Sequence, residues 1–95
     1  MNIHYYDITL KMPYLDEIQE TRLKISASSL NHLFHDLLKY YNVDINMIIS
    51  ISKYERSVTR GHTRIDFLLI QRFSSSDVKS ALRAFRNSVL YSAVK

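Results

Sequence analysis

Residues 64–89 read RIDFLLIQRFSSSDVKSALRAFRNSV, and the rhythm of the stretch changes at Ser74. Before it, Ile65, Phe67 and Leu69 fall on one side of an extended chain and Leu68 and Ile70 on the other, the most strand-like run in the sequence. After it, Val78, Ala81, Leu82, Phe85 and Val89 recur at three- and four-residue intervals, so strand gives way to amphipathic helix. Ser74 and Asp77 have the spacing of a capping box, with Asp in place of the usual Glu, and the helix is expected to reach roughly Tyr91.

The same sequence of strands and capped helix occurs upstream. Leu30, Leu33, Phe34, Leu37, Leu38 and Tyr41 make one stripe behind Ser28 and Ser29, which predicts a helix from about Ser29 to Tyr41. From Asn2 to Met12, Tyr6, Ile8, Leu10 and Met12 alternate with Tyr5, Asp7, Thr9 and Lys11, and Pro13 is expected to end that strand. Thr21, Leu23 and Ile25 alternate with Glu20, Arg22 and Lys24, so residues 13–19 read as the loop between two antiparallel strands. Met47, Ile49 and Ile51 alternate with Ile48, Ser50, Ser52 and Tyr54 in a third strand. Arg60-Gly61 is the expected turn into the fourth, because Gly61 takes positive φ without strain.

The order ββαββα predicts an α+β domain over residues 1–95: a four-stranded, mostly antiparallel sheet with both helices on one face. Sliding the second helix back by 48 positions (74 − 26) lays Ala81, Leu82, Phe85 and Val89 on Leu33, Phe34, Leu37 and Tyr41. Two ββα halves, about 2–42 and 45–92, would then be copies, although any two Ser-capped amphipathic helices align this well.

With 95 residues, one Gly, one Pro and no Cys, the chain is sized for one core and leaves little volume for a deep substrate cleft. Lack of cysteine removes disulfides, thiolate nucleophiles and Cys-based zinc sites, and suits a reducing cytoplasm. The first residues lack the cationic and apolar segments of a signal peptide. Uncharged stretches such as Ile45–Ser52 fall far below the ~18 residues of a membrane span, so no membrane partner is expected. Few Gly and Pro beside many Ile, Ser, Tyr and Asn resemble the AT-rich coding of small phage and mobile-element genes.

Net charge is +4 and unevenly spread: residues 1–52 carry four basic and six acidic groups, residues 53–95 nine basic and three acidic. Arg56, Arg60, His62 and Arg64 surround the second hairpin, while Lys79, Arg83 and Arg86 stand at i, i+4 and i+7 on the last helix, opposite its apolar stripe. Such groups can follow a phosphate backbone or an acidic protein surface, and equally they suit a solvated turn and helix face. Tyr5 and Tyr54 on the uncovered sheet face would add stacking surfaces for single-stranded bases. Yet no helix-turn-helix, zinc-finger or ribonucleoprotein aromatic motif favours nucleic acid.

The fourth strand is too apolar for a sheet with one wet face: whichever side is inward, at least two large side chains point out. Either it is a central strand sheltered by Tyr54 and long aliphatic stems, or Phe67 and Leu69 (with Leu68 and Ile70 behind them) belong to a patch that docks a partner or a second copy of the chain.

Chemistry is sparse. His32, His35 and Asp36 share the polar face of the first helix, where a His32–Asp36 contact is expected rather than a metal. Asp16, Glu17 and Glu20 are an acidic loop without the contrasting environments of an acid–base pair, and the single glycine excludes Gly-rich phosphate loops. Tyr40, Tyr41 and Tyr91 are expected to pack beside the helical stripes. No catalytic residue and no cofactor is assigned. The expected function is a non-enzymatic binding protein of phage type that occludes a surface on a larger protein or ribonucleoprotein complex, such as a nucleic-acid-guided defence system. The alternative is a nucleic-acid-binding regulator using the hairpin and last-helix arginines.

Overall fold

Alternation of apolar and polar side chains over the first quarter of the chain produces two long strands, β1 (His4–Tyr14) and β2 (Glu17–Ala27), paired antiparallel from His4 opposite Ala27 to Tyr14 opposite Glu17. The computed structural model describes residues 3–58 and 65–94. A Ser29 oxygen then accepts the His32 N–H and starts helix α1 (Leu30–Lys39). A 3₁₀ turn (Ile45–Met47), capped by Asp44, leads into β3 (Ile48–Val58), which pairs with β4 (Ile65–Phe73). Helix α2 (Ser75–Arg86) follows, then a short α3 (Val89–Val94).

The sheet order is β2-β1-β3-β4, with every neighbouring pair antiparallel, which is the expected α+β architecture. One face carries Tyr6, Ile8, Leu10, Ile25 and Ile51, which meet Leu33, Phe34 and Leu37 of α1 and Val78, Leu82 and Phe85 of α2 in a single core. Phe85 sits between Phe34 and Tyr91, edge-on to each at 5.5 Å, so it joins the three helices.

Several boundaries differ from expectation for identifiable reasons. Pro13 lies inside β1, opposite Ile18, instead of ending it, and the expected 13–19 loop shrinks to a turn at Leu15 and Asp16. β3 pairs β1 only between Tyr5 and Leu10, so Pro13 has a neighbour on one side and its missing N–H is tolerated. Helix α1 stops at Lys39 because Asn42 turns left-handed (φ 52) and the Val43 N–H folds back to the Leu37 carbonyl at 3.0 Å. That leaves Tyr40 and Tyr41 exposed, outside the stripe. The second helix breaks at Asn87–Ser88, where the Ser88 hydroxyl donates to the Phe85 carbonyl, and so does not run on to Tyr91 as one piece. In β3 a bulge beside Thr9 and Leu10 turns Ile48 inward, while Met47 falls in the 3₁₀ turn.

The two N-caps are 45 positions apart (74 − 29), so the 48-residue offset aligns the apolar stripes but not the caps. The expected Arg60-Gly61 turn lies outside the described residues.

Candidate functional site

Residues directly opposite in an antiparallel pair share a face. Tyr5 is opposite Tyr54, Tyr54 opposite Leu69, and Arg56 opposite Phe67, so all five occupy the face turned away from the helices. There the Tyr5 and Phe67 rings meet edge-on at 5.1 Å. Together with Tyr54, Asp7, Lys24 and Ser26 they line a groove of about 520 Å³ that runs across the strands.

Charge rims this groove. The same alternation places Lys11, Arg22, Lys24, Arg56 and Arg72 on the open face, against Asp7 and Glu20. Asp7 is recessed in that face: its side chain is only 10% exposed, its Oδ2 accepts from the Arg22 guanidinium at 2.6 Å, and its Oδ1 has no hydrogen-bond partner among the described residues. Arg22 reaches over it from a largely solvated position, so the open face as a whole is positive.

The fourth strand is an edge strand, which overturns the reading of a sheltered central one. Ile65, Phe67, Leu68, Leu69 and Ile70 are all exposed. Leu68 lies opposite Glu55, on the helix side of the sheet, yet it is 55% exposed because the helices do not extend over it. A register shift where Lys53 and Tyr54 face Gln71 and Leu69 makes Ile70 the extra residue of a bulge, which moves Arg72 onto the open face.

Among the described residues, Arg56 and the basic residues of α2 do not converge. Arg56 is on the open face. Lys79, Arg83 and Arg86 are exposed on α2, in the layer that covers the opposite face, and stand about a quarter turn from its buried stripe rather than across from it. Arg86 donates to the Asn46 side-chain carbonyl, which fixes it to the 3₁₀ turn. Arg60, His62 and Arg64 lie outside the described residues. Phe67 and Leu69 lie exposed on the open face, and Arg22, Lys24 and Arg72 share that face unanticipated. The signal for Arg22 and Lys24 was their alternation with the partly buried Leu23 and the buried Ile25; Arg72 gave none, because the bulge resets the parity.

On α1 the expected His32–Asp36 contact is replaced by two local ones: Ser29 with His32 Nδ1 at 2.8 Å, and His35 Nδ1 with Asp36 at 3.0 Å. Among the described residues no three His, Cys, Asp or Glu side chains group to hold a metal. Ser74 serves as helix cap, its hydroxyl accepting the Asp77 N–H while Asp77 accepts the Ser74 N–H. Among the described residues no helix is long and apolar enough to cross a membrane. Compared with protein-family models, curated protein sequences and solved structures, the chain finds no match.

Proposed function

We propose that this chain is a non-enzymatic binding protein that occludes a surface on a larger protein or ribonucleoprotein complex through the open face of its sheet. The carrying observation is the apolar cluster of Tyr5, Tyr54, Phe67 and Leu69, which shares one face with Lys24, Arg56 and Arg72. Aromatic anchors within a charged rim are the composition of a docking hot spot, and the positive rim selects an acidic or phosphate-bearing counterpart. A nucleic-acid-guided defence complex of a host cell combines both chemistries, and it suits the phage-like composition.

Capture of the partner from host lysate by the immobilised chain, before and after nuclease treatment, is the direct test. Changing Lys24, Arg56 and Arg72 to Glu is expected to abolish capture, while changing Lys79 and Arg83 to Glu leaves it intact. The reverse pattern would move the working surface to α2.

A second reading, a stand-alone binder of single-stranded nucleic acid, draws on the Tyr5–Phe67 contact beside Tyr54, since exposed rings on a sheet can stack bases. Salt separates the two: phosphate binding to a single strand loses about 0.7 log units of affinity per log unit of salt for each contact, whereas apolar docking changes little.

A further inference from the structure

We infer that β4 pairs antiparallel with β4 of a second copy of this chain, joining two sheets into one of eight strands. The two edges of the sheet are managed differently. Edge strand β2 places Glu17, Gln19, Glu20, Arg22 and Lys24 along its length, the charged dressing that keeps an edge from pairing. Edge strand β4 presents Ile65, Phe67, Leu68, Leu69 and Ile70, each between 43% and 55% exposed, with Asp66 the one charge among them.

The bulge at Ile70 sets the register. Only Ile65–Leu69 is regular enough to pair on its free side. A two-fold axis at Phe67 then puts Phe67 opposite itself and Ile65 opposite Leu69 of the second copy, so the open face gains three apolar pairs. Asp66 falls opposite Leu68. A parallel arrangement in register, or an axis at Asp66, would instead set Asp66 beside its own copy.

Size fits a reversible contact. The four half-exposed apolar side chains of the pairing segment, about 100 Å² each, give at most roughly 400 Å² per copy and about 800 Å² in all, the size of a weak, transient contact. The dimer leaves Tyr5, Tyr54 and Lys24 open and places two grooves on one continuous face, so docking becomes bivalent.

Sedimentation of the full chain across a micromolar to millimolar concentration series should show mass rising from one chain to two, and Ile65→Lys, which sets a charge against Leu69 of the second copy on both sides of the axis, should hold it at one. Because the chain has no cysteine, Phe67→Cys offers an independent reading. Mild oxidation should link it to its own copy, while Gln19→Cys on β2 stays unlinked. Monomer at every concentration, a dimer indifferent to Ile65→Lys, or linkage through Gln19→Cys would each overturn the pairing. Partner capture by a strictly monomeric chain would remove the dimer and leave the proposed function standing.

Discussion

Phe85 and Phe67 are the same side chain in opposite circumstances, and truncating each to alanine measures whether the open face is open. Phe85 is fully buried, with edge-on contacts to Phe34 and Tyr91 at 5.5 Å. Phe85→Ala leaves a cavity where three helices meet, and burial of that kind costs about 3–5 kcal/mol. Phe67 is 55% exposed and among the described residues has one ring neighbour, Tyr5. Half of a burial worth roughly 1.5–3 kcal/mol, with part of an edge contact added, puts Phe67→Ala at about 1–2 kcal/mol. A domain of this size holds roughly 5–14 kcal/mol in total. Phe85→Ala therefore takes away a large share of the stability, and Phe67→Ala a small one. Urea unfolding followed by circular dichroism reads both midpoints, with the slope m checking that the unfolding remains two-state. On the functional side the order reverses: folded Phe67→Ala should lose partner capture, while Phe85→Ala below its melting temperature should keep it. Equal destabilisation by the two substitutions would refute the assignment, because it would mean Phe67 is packed as a core residue.

Three further outcomes test the framework beneath that face. Leu15 holds positive φ (58°) at the tip of the first hairpin while 88% exposed, so Leu15→Gly relieves strain at little packing cost; a gain of about 0.5–1 kcal/mol, or several degrees in Tm, is expected in a thermal melt. Ser74→Ala removes a reciprocal cap and should cost about 1 kcal/mol, more than Ser29→Ala, whose oxygen caps α1 without a returning carboxylate. Burial raises the Tyr6 hydroxyl above its ordinary value of 10.0. Its contribution is complete below pH 10 and is lost as the unfolded chain ionises first above it, so urea midpoints should fall between pH 9 and pH 11, and fall less in Tyr6→Phe.

How far the sequence reveals this arrangement depends on what each period encodes. The 3.6-residue spacing of Leu33, Phe34 and Leu37, and of Val78, Leu82 and Phe85, names the buried face of each helix, and the serines before them name where the helices start. A period of two names the faces of a strand but says nothing of its neighbours. The fourth strand could thus be read as central or as edge until its single partner, β3, was seen. Parity is also fragile. A one-residue bulge at Ile70 reverses it, and no residue type at that point announces the bulge, so Arg72 could not be assigned to the face it occupies. Of the basic groups read from the sequence, Arg56 and those of α2 are separated by the sheet.

Lengths explain why apolar residues are left uncovered at all. An 11-residue strand spans about 36 Å, whereas helices of 10 and 12 residues span roughly 15 and 18 Å, so α1 and α2 cannot roof the hairpins from end to end. The 49 Å long axis of the molecule records that excess. Wherever the helical layer stops, both faces of a hairpin meet water, and residue choice there is free of core packing. At the first hairpin that freedom is used for polarity: Leu15 and Ile18 are isolated among Asp16, Glu17, Gln19 and Glu20. In β4 it is not, and Phe67, Leu68, Leu69 and Ile70 follow without interruption. A run of that kind on an unprotected edge contributes nothing to the chain's own core and invites pairing with any free strand. The proposed docking and self-pairing would each cover it. Replacing that run with alternating Lys and Thr should therefore leave the fold intact while ending both self-association and docking, which separates a surface kept for contact from one kept for folding.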